Sequence, residues 1–340
     1  MVRFFTRPAD GKIPGDCDAP RVSVLMPVRD VAALVGRAVR SVLDCRDDLE
    51  LVVIDDGSLD GTAAAVLEAG AGDPRLVLVR SSRLGIVAAL QRGLQVCRGR
   101  FVARMDGDDW CDPLRFRRQR EFLEEHPDVG VVGCLVTADP MPPPGGGLDR
   151  YLLWQNSLLT HDAMYADRYV ESVMSHATAM FRRDVLDVVG GWRDASWSED
   201  LDLWLRLMAQ GVVFAKIDQV WYHWTIRSEA ATWTDERCSP SAMAAGKLHY
   251  LLSGPLAGRR NVLVWGTGRS LERWAEALKD LGLQVETLAL DRRRIHAGKI
   301  PAPSGRPAVA CYASSRRRTL VRRLAARAGW SEGRDLFFVA

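Results

Sequence analysis

FVARMDGDDW, residues 101–110, sets Asp106, Asp108 and Asp109 directly after an apolar run. A second acidic pair, Asp55 and Asp56, closes the apolar run LELVVI. Like charges crowded at strand ends repel one another and call for a counter-charge. A hard divalent cation supplies it, taking one or two carboxylates and completing its shell with phosphates and water. A cation held in this way neutralises charge on a departing diphosphate. The spacing therefore assigns Asp108, with Asp106 assisting, to the grip on a metal diphosphate. A structural reading competes with it. Acidic turns before helices are common, Asp112-Pro113 has the form of an N-cap followed by proline at N1, and Asp109 is expected to be solvated.

The elements that must position these acids are legible as alternating patterns. RVSVLMPV (21–28), LELVVIDDGS (49–58), RLVLVRSS (75–82) and RFVARM (100–105) read as short buried strands, with Pro27 expected to stop the first. Between them, VAALVGRAVRSVLDC, LDGTAAAVLEAGAG and GIVAALQRGLQVCRG carry helical spacing, with Asp60 expected to cap the second. Strands of five to seven residues alternating with helices predict an α/β fold with a mostly parallel sheet and helices on both faces. In such a sheet ligands bind at the carboxyl ends of the strands, which places both acid sets on one edge. A further helix (113–128) and strand (129–138) precede DPMPPPGGGLDR (139–150), whose prolines and glycines describe a loop. Around 240–261 the pattern restarts as a smaller α/β unit. The expected division is a lead-in over 1–20, a domain over 21–238 with halves 21–135 and 136–238, a connector over 239–260 and a second domain over 261–340.

A chain of 340 residues has room for about two domains. With 47% hydrophobic and 26% charged residues it can bury a core. No stretch approaches the roughly 20 apolar residues that span a bilayer, and the first 20 residues lack the apolar core of a signal peptide. Seven scattered cysteines without a CxxC pair argue against a zinc cluster or a disulfide framework and fit a reduced cytoplasmic compartment. The net charge of +3 conceals an asymmetry, since residues 257–340 hold 17 Lys+Arg against 7 Asp+Glu.

SVLMPVRD, LELVVIDDGSLDGT, GIVAALQRGL, RFVARMDGDDWCDPLR, VGVVG and SEDLDLWLRL, taken in order over residues 20–235, resemble the family 2 glycosyltransferases of GT-A fold. The resemblance implies an inverting, non-processive sugar transferase of polysaccharide or glycolipid assembly. It uses a nucleotide-sugar donor, Mn²⁺ or Mg²⁺, and a saccharide or lipid-linked acceptor. It implies that Pro27, Arg29 and Asp30 line the nucleotide pocket, that Asp55 and Asp56 meet the base, and that DGD is the family's DxD motif. Asp106 would then serve ribose and metal, and Asp108 the metal. In SEDLDLW, Asp200 would be the base that takes the acceptor hydroxyl's proton, with Asp202 its rival. Glu199, His176 and Trp204 fall on the acceptor side, His176 with a buried, structural role as its alternative. Arg182 is read as a structural or phosphate contact, and Trp192, Trp197, Trp204 and Trp224 as core or sugar-stacking residues. The family's YRxHxxSxS becomes YHWTIRSEA (222–230), which places His223 and Thr225 at the Arg and His positions and leaves Arg227 for the diphosphate. The QxxRW of processive synthases is absent.

In the C-terminal unit, Gly266-x-Gly268 opens a Rossmann-like pattern, but Leu271 stands where a dinucleotide fingerprint has its third glycine, and Asp291 stands near the place of a ribose-binding acid. Arg317, Arg318, Arg322 and Arg323 surround an apolar side of residues 316–328. That implies a solvated basic face or peripheral contact with the anionic inner face of the membrane. Nucleic acid is not an expected partner, because no groove-reading motif accompanies the charge. Three other functions fit the sequence less well. A nucleotidyltransferase needs a glycine-rich basic loop after the first strand, which PVRDVAALVG is not. An oxidoreductase built on the GxG unit leaves the N-terminal acids without a purpose. A non-catalytic scaffold would not need Asp106, Asp108 and Asp200.

Overall fold

A computed structural model of the chain describes residues 19–228, 231–298 and 300–340; the expected lead-in lies outside them up to residue 18. Contacts divide the chain into two compact units: Met1–Thr160, Met174–Ala195 and Arg206–Trp233 form one, and His161–Val173, Ser196–Leu205 and Thr234–Ala340 the other.

The first unit is built on an eight-stranded sheet in the order β3-β2-β1-β4-β7-β6-β8-β5. Its strands are β1 (Val22–Val28), β2 (Leu49–Asp56), β3 (Leu76–Ser81), β4 (Phe101–Arg104), β5 (Trp110–Cys111), β6 (Val129–Asp139), β7 (Met180–Arg182) and β8 (Val213–Thr225). Every residue of β1 and β2 is buried, as continuous apolar runs demand when helices cover both faces. The crossover helices Ala32–Leu43, Thr62–Gly70 and Ile86–Val96 make β3, β2, β1 and β4 parallel. The first of them buries Val35, Ala38, Val39 and Val42 in a stripe. Burying each such aliphatic side chain contributes about 1.5–3 kcal/mol.

Among the described residues four of the sheet's seven strand pairings are parallel, β6 with β8 among them, which bears out a mostly parallel sheet; beyond β4 antiparallel pairings join them. β7 pairs antiparallel with β4 and β6, and β5 antiparallel with β8. These strands have two or three residues, and antiparallel pairing needs no crossover helix. Pro27 does not end β1, which continues to Val28 beside β2. β4 pairs with β1 only as far as Leu25, so the donor that Pro27 lacks falls where one neighbour has already departed. The parting of β1 and β4 opens the cleft described below.

The second unit holds a parallel sheet in the order β10-β9-β11-β12, from β9 (Asn261–Gly266), β10 (Gln284–Ala289), β11 (Ala308–Cys311) and β12 (Leu336–Val339). The helix Pro240–Ser253 lies where a connector was expected. Ser239 caps it by accepting from Ala242 N at 3.3 Å, and Pro240 occupies its first turn. Leu251 and Leu256 join Trp274, Leu278 and Phe337 in this unit's core, so the segment packs rather than links. Asp291, near the place of a ribose-binding acid, caps the helix Arg292–His296, accepting from Arg294 N at 2.8 Å. Among the described residues no helix is long and apolar enough to cross a membrane.

Candidate active site

A cleft of about 150 Å³ opens in the first unit where β1 and β4 diverge, lined by Pro27, Arg29, Asp106, Asp108, Trp224 and Arg227 among others. The sequence placed five of these at a donor site, and the fold brings them to one edge. Gly107 lets the acidic loop lie against β1, because a Cβ there would stand 2.4 Å from Val28 Cγ1.

The three acids divide the work. Asp106 faces the buried Arg104 guanidinium at 2.6 Å. Asp108 Oδ2 accepts from Arg227 Nε at 2.7 Å, with Nη2 at 2.6 Å. Burial, and then the neighbouring Asp106 charge, raise the Asp108 carboxyl above its ordinary range. Asp109, expected to be solvated, is buried: it accepts from Thr225 N at 2.6 Å and from the Tyr222 hydroxyl. Burial and the charges of Asp106 and Asp108 push its carboxyl well above the usual value. Its role is to pin β8 against the acidic loop, leaving two carboxylates for a ligand. Among the described residues no three His, Cys, Asp or Glu side chains converge to hold a metal by themselves. Two carboxylates beside an open cleft fit Mg²⁺ or Mn²⁺, which complete their shells with substrate phosphates and water.

A pH dependence follows from the two raised carboxyls. Each binds its proton more tightly folded than unfolded, so its contribution to stability is whole below about pH 4 and is lost as pH rises through the elevated folded value. Replacing Asp109 by Asn should flatten the fall of melting temperature between pH 4 and neutrality. Parallel melting curves for the two proteins would show that Asp109 does not titrate this way.

The other predicted donor contacts are less open than the sequence implied. Asp55 is fully buried and closes the turn after β2, accepting from Ser58 N at 2.9 Å, with Arg80 Nε at 3.3 Å. Asp56 is 4% exposed and accepts from Leu84 N at 2.8 Å and Gly85 N at 2.9 Å. Arg29 stands 3.6 Å from it at the cleft wall. Asp30 adopts φ +52° and accepts from Leu59 N at 2.8 Å, tying down loop 57–60. Each of these acids ties down loop backbone through the amides it accepts from. Asp60 accepts from Ala32 N at 2.9 Å as well as from Thr62 N at 3.1 Å, so it joins two helix starts.

Of the residues that the resemblance assigns to an acceptor, His176 is buried and takes a hydrogen bond from Trp192 Nε1 to its Nε2 at 2.8 Å, as its structural alternative requires. Arg182 binds the carbonyl oxygens of Val129, Leu123 and His126, which makes it structural. His223 stacks on Trp110 at 3.5 Å between centroids. Trp204 is 1% exposed and packs in the core, the alternative to sugar stacking that its type allows. In the second unit, Asp200 Oδ2 accepts from Ser172 Oγ at 2.8 Å and Oδ1 from Leu201 N at 2.7 Å, near the start of helix Glu199–Ala209. Glu199 begins that helix and is half-buried. Its rival Asp202 is 3% exposed and held by Tyr250 Oη at 2.5 Å and Trp197 Nε1 at 3.4 Å, an anchoring role.

Residues 23–190 match the family model described as Glycosyl transferase family 2. The chain is 31% identical over 172 residues to the amylovoran biosynthesis glycosyltransferase AmsE of Erwinia amylovora, covering 50% of this chain and 62% of that protein. It is 26% identical over 210 residues to an Escherichia coli UDP-Gal:alpha-D-GlcNAc-diphosphoundecaprenol beta-1,3-galactosyltransferase, covering 60% of this chain and 73% of the other. Residues 23–190 form a domain of glycosyltransferase family 2. Its fold is of GT-A type, matching the mannosyltransferase PcManGT of Pyrobaculum calidifontis with a TM-score of 0.52 at 19% identity over 77% of this chain and 80% of that one.

The glycosyltransferase domain also contains a residue that sequence reading passed over. Arg115 is fully buried behind the acidic loop and donates to Arg104 O at 2.8 Å and Ala177 O at 2.6 Å, while its neighbour Gln119 donates to Thr178 O at 2.8 Å. In PLRFRRQREF it looks like one more surface arginine. Only its position on the face shared with Phe116, Gln119 and Leu123 marks it as internal. Replacing Arg115 by Ala should cost about 3 kcal/mol or more, because buried carbonyls lose their donors. Chemical denaturation measures this, and a change under about 1 kcal/mol would show the carbonyls are satisfied another way.

Proposed function

We propose that this chain transfers a sugar from a nucleotide-sugar to an acceptor hydroxyl with inversion, in the assembly of a cell-surface polysaccharide or glycolipid. The observation that carries this reading is the convergence of Asp106, Asp108, Pro27, Arg29 and Arg227 on one cleft in a GT-A fold. Asp106 and Asp108 would hold Mn²⁺ or Mg²⁺, which supplies positive charge against the departing diphosphate. Arg227 serves the same diphosphate, exchanging Asp108 for a phosphate oxygen. Asp200 takes the proton of the attacking hydroxyl, its carboxylate oriented by Ser172 and Leu201 N. PcManGT was solved with GDP-Man and Mn²⁺, and the Escherichia coli relative is named for a diphosphoundecaprenol-linked acceptor; both support a nucleotide-sugar donor and a lipid-linked acceptor here. The same reading places the protein in the cytoplasm, with its basic C-terminal unit in peripheral contact with the membrane.

A panel of UDP-, GDP- and dTDP-sugars tests the reading by thermal shift with and without Mn²⁺, since a ligand that binds the native state raises its stability by mass action. At least one donor should raise the melting temperature only when the metal is present. Stabilisation by NAD alone would favour the oxidoreductase instead.

A further inference from the structure

The helix Ser315–Arg327 sorts its arginines into two groups. Arg318 is buried and stands 3.5 Å from Asp167, and Arg322 is bonded to Asp167 and Glu332, so these two belong to the interior of the second unit. On the side opposite the buried line of Arg318, Val321 and Ala325 runs an exposed stripe at i, i+4, i+7 and i+11: Arg316, Leu320, Arg323 and Arg327. The helix Arg292–His296 packs against it and adds exposed Arg293 and Arg294. Neither helix contains an Asp or Glu. Of the acids that flank the two helices in sequence, Asp291 caps the shorter one and Glu332 pairs with Arg322. Ordinary surface helices interleave both signs, whereas this face holds cations alone around a part-exposed leucine.

We propose that this arginine face docks on an anionic lipid surface. Guanidinium groups pair with headgroup phosphates, and the flat, single-signed stripe presents them together. Leu320, 38% exposed at the centre of the stripe, would enter the headgroup boundary as apolar residues of interfacial helices do. A nucleic-acid partner would be better served by aromatic side chains between the arginines, and the stripe has none. The inference deepens the membrane contact within the functional reading above and rests on it. Its test reads no sugar transfer, so sugar transfer and docking can fail separately.

The test is co-sedimentation of the full chain with vesicles of phosphatidylcholine alone and of phosphatidylcholine with phosphatidylglycerol. The protein should pellet with the anionic vesicles only, and binding should fall steeply between low and high ionic strength. The combined variant Arg316→Gln, Arg323→Gln, Arg327→Gln should lose at least tenfold in vesicle partition with an unchanged melting temperature. Equal pelleting with neutral vesicles, salt-insensitive binding by the wild-type protein, or a folded triple variant that binds as well as wild type would overturn the proposal. So would tighter binding of a random-sequence oligonucleotide than of anionic vesicles at equal phosphate concentration.

Discussion

Replacing Asp200 by Asn should lower turnover by about 10²–10⁴-fold, the usual contribution of a positioned general base, and leave donor binding intact. The substitution is nearly isosteric and keeps an oxygen for the Leu201 amide, so helix Glu199–Ala209 retains its start. What it removes is the capacity to accept a proton. The acceptor hydroxyl must lose one as it attacks, and an amide cannot take it. Steady-state kinetics paired with donor-induced thermal shift separates the two effects. Asp202 is no substitute, because its carboxylate is buried against Tyr250 and Trp197. Turnover unchanged in the Asp200 variant would move the base elsewhere.

The Asp108→Asn variant should behave differently, losing turnover by on the order of 10²–10³-fold together with the metal dependence of donor binding. Asp108 is the less exposed of the two cleft carboxylates, at 19% against 35% for Asp106, and is the one that faces Arg227. Removing its charge leaves the cleft with Asp106 alone, which is already matched by the buried Arg104. Arg227 remains part-exposed and can turn to solvent, so the fold should melt within a few degrees of the wild type. A variant that still shows Mn²⁺-dependent stabilisation by a donor would exclude Asp108 as the principal ligand.

The parts of the molecule visible in the sequence are those governed by local pattern. β1, β2, β3 and β4 are continuous apolar runs, and the helices between them carry a buried stripe, so periodicity alone located them. β5 and β7 escaped because two or three residues carry no period; their pairing is decided by partners far along the chain, Tyr222 and His223 for β5, and Val131 and Val132 for β7. The acidic loop was legible as a site because charges at a strand end need an explanation. Its internal division was not. Asp109 points to Tyr222 and Asp108 to Arg227, and both partners lie more than 100 residues away. Asp56 follows the family's motif, yet its carboxylate accepts from the Leu84 and Gly85 amides, which only the folded loops bring near. Segments 161–173 and 196–205, read as parts of the first domain, cluster with the second unit through packing of residues such as Tyr169 and Leu201.

The most direct measurement is electron paramagnetic resonance of free Mn²⁺ titrated with the protein, with and without a nucleoside diphosphate. The account predicts that the free-ion signal falls stoichiometrically when nucleotide is present, weakly when it is absent, and in neither case for Asp108→Asn. A wild-type titration in which the signal is unaffected by protein plus any of the uridine, guanosine or thymidine diphosphates would contradict it.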